Sequence, residues 1–364
     1  MKKIISMILA LTTAASLAVT AFAQTKDNDS SNPVTNDTVF FDKDADGLEL
    51  NADTVLTPGE TYYFPVKFIE AGKTLADAQA LTSTQFNNFK FHFANEEGKR
   101  EISSIKVEKH KSVYSLAITV KAGWPTKLSD VSYTVSVVDS KDSKNEIDVA
   151  ALAFQTGYKT IDDSSLKNPD YVVVNPEAPV LTEDSFDTLN DLADGKEVTF
   201  AHGDWEFSVR VNGMKDTNMV SNSDDIDAII EKYQDQDFKF VSFPAGPEFR
   251  TTGTLSIDVS SEMNDFDGKF FVYRYLNGKL TKVDFTLDSE EELVKIKTKQ
   301  LGRFVLTNKE ITDSVVDPNF GSNGESSNGG SEQNPDTGAN DFVAIAAAMA
   351  IIASAGILLS RKRK

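Results

Sequence analysis

From Thr38 onward the chain is written in short runs in which apolar and polar residues take turns. TYYFPVKF (Thr61 to Phe68), FKFHFA (Phe89 to Ala94), ISSIKVEK (Ile102 to Lys109), VYSLAITVK (Val113 to Lys121), VSYTVSVVD (Val131 to Asp139) and IDVAALAFQ (Ile147 to Gln155) follow one another. A period of two sends successive side chains to opposite faces of a strand, so each run predicts one buried face and one wet face. In ISSIKVEK, for example, Ile105 and Val107 point one way while Lys106 and Glu108 point the other. Pro58-Gly59, Glu97-Gly98 and Ala122-Gly123 supply turns between some of the runs. Short strands at this spacing predict an antiparallel sandwich or barrel. Only Leu75 to Thr84 reads as helical in this half, as a short insertion.

A polar connection, Lys159 to Asp170, leads into a second set of runs. YVVV (Tyr171 to Val174), EVTFA (Glu197 to Ala201) and WEFSVRV (Trp205 to Val211) predict strands, the last with Trp205, Phe207, Val209 and Val211 on one face. Asp224 to Tyr233 predicts a helix, acidic at its N-terminal end as the helix dipole favours. DFKFVSF (Asp237 to Phe243) and TLSIDVS (Thr254 to Ser260) return to the strand pattern. In KFFVYRYLNGKLTKVDFTL (Lys269 to Leu287), Asn277-Gly278 sits between two alternating runs, the preferred signal for a type I′ hairpin. LVKIKTK (Leu293 to Lys299) and RFVLTN (Arg303 to Asn308) complete the set. The expected fold is all-β: two Ig-like antiparallel β-sandwich domains, 38–158 and 159–312, with minor helix.

Outside these domains the pattern stops. Residues 24–37 are polar and turn-rich, and residues 313–333, dominated by Gly, Ser and Asn, cannot bury a core; both read as flexible segments. At the start, Lys2 and Lys3 precede an apolar run that ends at Ala21-Phe22-Ala23. That layout predicts a secretory signal peptide over residues 1–23, cleaved between Ala23 and Gln24 by signal peptidase. At the end, Phe342 to Ser360 contains 19 residues and no charge. As a helix it spans roughly 28 Å, enough to cross a bilayer's hydrocarbon core. Arg361 to Lys364 are all basic, so the tail is expected to stay cytoplasmic and everything before the span to lie outside.

Directly before the span stands Asn334-Pro335-Asp336-Thr337-Gly338. This pentapeptide, followed by an apolar span and a basic tail, resembles the cell-wall sorting signal of Gram-positive surface proteins, in which LPxTG is the usual form and NPxTG a variant. The resemblance implies that a sortase cleaves between Thr337 and Gly338 and links Thr337 to peptidoglycan. The residue types suit that role. Pro335 fixes its own φ and biases Asn334 towards an extended conformation, and Gly338 leaves the scissile bond uncrowded. The block from TLSIDVS to GRFVLTN is likewise similar to C-terminal β-sandwich modules of clostridial and ruminococcal surface proteins. LTPGETYYFPV (Leu56 to Val66) resembles a strand opening in extracellular modules of that group, including cohesins.

Composition narrows the chemistry further. The chain carries 37 Lys and Arg against 56 Asp and Glu, a net charge of −19. Without the two processed ends, 31 basic and 55 acidic residues remain, a net charge of −24. So acidic a chain repels nucleic acid, and no nucleic-acid partner is expected. There is no cysteine, which removes thiol nucleophiles and disulfides, and only His92, His110 and His202 could serve a triad or a multi-histidine metal site. None of the three lies in a recognisable catalytic motif, and no enzymatic activity is expected.

Two features could still form a site. DKDADGLELNAD (Asp42 to Asp53) matches a calcium-loop spacing, with Asp42, Asp44 and Asp46, the Leu48 carbonyl and Asp53 as oxygen ligands. Leu50 at the ninth position and Thr57-Pro58-Gly59 in place of a following helix argue for the plainer reading, an acidic turn between strands. No cofactor is expected beyond that structural calcium, should the loop bind one. Trp124, Trp205, Tyr62, Tyr63, Tyr273 and Tyr275 could stack on sugars, or could simply pack in the core. Together these readings predict an exported, wall-anchored protein whose partners are sortase and peptidoglycan. Its β-sandwich modules would serve adhesion, binding or spacing towards a host or glycan ligand. The alternative is a carbohydrate-binding or cohesin-like scaffold module of a surface glycan-utilisation system.

Overall fold

The computed structural model describes residues 32–142 and 146–316. Over its first part the strands run β1 (Asp37–Phe41), β2 (Val55–Leu56), β3 (Thr61–Ile69), β4 (Gln79–Ala80), β5 (Phe89–Glu97), β6 (Ile102–His110), β7 (Val113–Val120), β8 (Ser129–Asp139), β9 (Glu146–Val149) and β10 (Leu152–Thr156). The fold is all-β, and the chain forms two compact units. Among the described residues the first takes 32–54, Thr61–Thr119 and Asp130–Gln155, and the second takes Val55–Glu60, Val120–Ser129 and 156–316.

In the first unit the strand order is β10-β8-β9-β1-β3-β7-β6, with β4 paired to β3 and β5 paired to β8. Most pairs are antiparallel, but β1 and β9 run parallel through Asp37–Ile147 and Val39–Val149. The alternation read from the sequence holds on β8, where Val131, Tyr133, Val135 and Val137 are buried and Thr134 and Ser136 are exposed. Val39, Val66, Phe68, Leu81, Phe89 and Val137 form a core, with Phe41, Phe86, Phe91 and Val107 packed on it half-buried. The stretch expected to be helical over Leu75 to Thr84 is mostly not. A short 3₁₀ turn occupies Leu75–Asp77, and the helix, α1 (Ser83–Asn88), begins only where the Thr82 hydroxyl can accept from the Gln85 N–H in a capping box.

The second unit contains β11 (Val172–Val173), β12 (Val180–Leu181), α2 (Glu183–Leu192), β13 (Val198–His202), β14 (Trp205–Val209), β15 (Thr217–Asn218), α3 (Asp227–Lys232), β16 (Phe238–Ser242) and β17 (Glu248–Asp258). It continues through β18 (Phe271–Leu276), β19 (Lys279–Lys282), β20 (Thr286–Asp288), β21 (Leu293–Gln300) and β22 (Arg303–Thr307). Besides the two-stranded β12-β15 sheet, one sheet has the order β11-β13-β14-β17-β21-β20 and the other β16-β22-β18-β19. Their facing side chains make one core. Phe200, Phe207, Phe249, Leu255 and Ile296 come from the first sheet, and Val241, Val272, Phe304 and Leu306 from the second. The β18–β19 hairpin turns at Asn277 (φ 50°) and Gly278 (φ 72°), the positive angles that a type I′ turn requires and that Asn-Gly supplies at low cost.

The four-stranded sheet is buried on its other face too. Phe240, Tyr273, Tyr275 and Val305 point away from the sandwich core and pack with Ile229 of α3, with Tyr233 just after it, and with Ile311 and Val316. The stretch after β22 is therefore a strap across the sheet. It is fastened by Leu280 N–H to the Ser314 carbonyl (2.8 Å), Val316 N–H to the Gly278 carbonyl (2.7 Å) and Ile311 N–H to the Tyr273 hydroxyl (2.7 Å). All five residues of β22 are buried, including Arg303 and Thr307, which explains why the mixed pattern of RFVLT does not mark a wet face.

Candidate functional site

The acidic loop after β1 folds around Asp44. Its Oδ1 accepts from the N–H groups of Asp46 (2.9 Å) and Leu48 (2.8 Å), and the Leu48 carbonyl accepts from the Asp44 N–H at 3.1 Å. Gly47, at φ +85° with open space around it, allows the reversal. The Asp42 carboxylate accepts from the Lys43 N–H (2.9 Å) and lies 3.8 Å from the Lys67 ammonium, while Asp46 and Asp53 are exposed. Lys43 pairs with Glu49 at 2.6 Å, and that hydrogen bond raises the lysine pKa. Of the oxygens expected to converge on calcium, those of Asp42, Asp44 and Leu48 accept from backbone amides, and Asp42 also faces Lys67. Among the described residues no group of three or more His, Asp or Glu side chains is placed to hold a metal ion. Asp44→Ala should cost about 1 kcal/mol of stability, the worth of a local side-chain cap. Urea denaturation with and without calcium checks this, since a capping role makes the loss the same in both.

The six candidate aromatics separate cleanly. Trp205 is in the core, its indole N–H donating to the Ser221 hydroxyl at 3.0 Å and its ring edge-on to Phe243. Tyr273 and Tyr275 are buried between the four-stranded sheet and the strap. The other three are half-buried: Tyr62, Tyr63 stacked on His110 with centroids 3.7 Å apart, and Trp124 stacked on Tyr158 at 5.9 Å. Tyr158, which no motif in the sequence flags, is itself buried, so it fixes the plane of the Trp124 ring. Phe86 and Tyr114 form a further stacked pair at 4.2 Å, brought together by α1 and β7. A polar hollow of about 470 Å³ lies between Lys159–Asp163 and Asn175–Ala178, and none of the residues lining it is aromatic.

The titratable groups act as fasteners. Burial pushes the Lys239 ammonium down, but hydrogen bonds to Asp204 (2.9 Å) and Glu262 (3.1 Å) outweigh it and its pKa rises. On the strap, the hydrogen bond from Lys232 (2.7 Å) holds the Asp313 carboxyl below its ordinary range. A depressed carboxyl contributes stability above its unfolded pKa, and that contribution is lost as pH falls through the folded value. Neither cluster pairs a nucleophile with a base.

The pentapeptide Asn334 to Gly338, the signal-peptide junction at Ala21, Ala23 and Gln24, and the apolar span Phe342 to Ser360 lie outside the described residues. Among the described residues no helix is long and apolar enough to cross a membrane. No protein-family model and no curated protein matches the chain. One solved structure, SGBP-B of the Bacteroides ovatus mixed-linkage glucan utilization locus (MLGUL) in complex with mixed-linkage heptasaccharide, aligns over 71% of this chain and 74% of that one. Its identity of 8% and TM-score of 0.16 are too slight to carry any argument.

Proposed function

We propose that this is an exported surface protein, freed from its signal peptide before Gln24 and joined to peptidoglycan by a sortase acting at Thr337. It carries non-enzymatic β-sandwich modules for adhesion, binding or spacing. The observation that carries this reading is the order of three parts within the last 31 residues: Asn334 to Gly338, an uncharged 19-residue stretch, and four basic residues. The first offers the transpeptidase a rigid, uncrowded substrate, the second holds the precursor in the bilayer until it is cut, and the third sets its orientation. The all-β units support the reading in a second way, because each closes an apolar core without the disulfides that a cysteine-free exported chain must do without.

A glycan-facing role is the second reading, and it rests on the half-buried Trp124 held flat against Tyr158. One substitution addresses the anchoring directly. Thr337→Ala keeps the scissile carbonyl but removes the threonine side chain that the sortase would recognise, so the protein should move almost entirely from the muralytic-digest fraction to membrane and medium. Unchanged recovery from the digested wall would overturn the assignment. Affinity electrophoresis of the same protein in polysaccharide gels separates glycan binding from simple spacing.

A further inference from the structure

Strand β5 is a long sheet edge. It pairs with β8 along its whole length, from Phe89 opposite Asp139 to Glu97 opposite Ser132, and no strand among the described residues pairs with its other side. An unpaired edge of this length presents a row of backbone donors and acceptors to any extended segment that fits. Exposed edges are usually blunted by proline, by a bulge or by like charges; β5 has no proline, and its bulge lies at the far end, at Glu96. The Asn95 amide closes that bulge by donating to the Glu97 carbonyl at 2.7 Å.

The charges along β5 are unlike at its two ends. Lys90, His92, Ala94 and then Glu96 and Glu97 are exposed, so the outward row begins basic and finishes acidic. The inward row, Phe91 and Phe93, is only half-buried although it faces the core, because nothing among the described strands flanks it on the open side. Beside Lys90, its cross-strand neighbour Val138 is 44% exposed. An antiparallel copy of the same strand, centred on Phe93, answers all three features. It sets Lys90 of each copy beside Glu96 and Glu97 of the other, it places His92 opposite Ala94, and it covers the open flank of the phenylalanines.

We propose that β5 pairs antiparallel with β5 of a second copy of this chain, joining two first units into one continuous sheet about a two-fold axis. The occupant is a second copy because the end charges are complementary to themselves only when the strand is reversed, and a two-fold contact requires such self-complementarity. Neighbouring molecules on one surface, or molecules on two surfaces, could be linked in this way.

The test uses the full chain, produced without sortase and solubilised in detergent, followed by sedimentation velocity. Lys90→Glu alone and Glu97→Lys alone should each weaken the dimer about tenfold, since each turns attraction into repulsion at two symmetric contacts. The combined variant should recover to within about threefold of the parent. Because the chain has no cysteine, a mixture of His92→Cys and Ala94→Cys copies should form disulfide dimers faster than either alone, and Thr134→Cys on β8 should not. A parent chain that sediments as a monomer at its highest soluble concentration, or a dimer indifferent to both charge reversals, would overturn the proposal.

Discussion

Replacing Phe249 by alanine is expected to remove about 4 kcal/mol of stability from the second unit, more than any other substitution proposed for this protein. Phe249 is 2% exposed and stands where three other rings meet: Phe207 at 4.9 Å, Phe200 at 6.3 Å and Phe186 at 6.4 Å between centroids. Those rings come from three different elements, β14, β13 and α2, so the missing ring leaves a cavity that no single element can close. The loss combines the transfer free energy of the ring with the dispersion contacts that its neighbours forfeit. A domain of this kind holds only about 5–15 kcal/mol in total, so the variant sits near the threshold of folding. Urea unfolding followed by near-ultraviolet circular dichroism gives the value, and a change below about 1 kcal/mol would show that the cluster collapses without strain.

Gly98→Ala comes next, at about 3 kcal/mol, in the first unit. Gly98 has φ +72°, and a Cβ built there would lie 2.4 Å from the Asp130 carbonyl oxygen and 2.7 Å from Val131 Cγ2. Left-handed backbone costs an alanine about 1 kcal/mol, and the clash with a neighbouring main chain adds about 2 more because β8 cannot retreat. Gly72 provides the comparison. Its φ is nearly the same, +78°, but a Cβ there meets nothing within 4 Å. Gly72→Ala should therefore lose only the conformational part, about 1 kcal/mol. Urea denaturation of both variants measures the difference, and equal losses at the two sites would show that the close approach of Gly98 to β8 does not matter.

Much of this fold can be read directly from the residues, for reasons that are local. The hairpin at Asn277-Gly278 and the buried face of WEFSV depend on neighbours two residues apart, and both stand as the pattern predicts. The signal for α2 is faint: Thr182 as its cap and Phe186 and Leu189 three apart, all within one polar stretch. What the alternation could not reveal is which faces acquire a second cover. Arg303 and Thr307 look like solvent positions, yet both are buried, and Thr307 donates to Gln236 at 2.9 Å. The same limit applies to function. The export and anchoring signals proposed above are linear words that an enzyme would read in an extended chain, so they could be sought in the sequence alone. A free strand edge is a matter of topology, and FKFHFANEE carries no mark of it until β5 is seen, among the described residues, to pair on one side only.

The strap carries the second unit beyond its last strand. Thr307 closes the last strand, but Ile311 and Val316 still belong to the apolar layer over Tyr273 and Tyr275. A recombinant fragment trimmed at residue 308 would expose that layer and invite aggregation, whereas one ending just past Val316 keeps it covered. With Thr337 joined to the wall as proposed, a pull arriving through residues 317–336 would meet the strap first. Its hydrogen bonds, not those of the sandwich, would be the first to yield under tension.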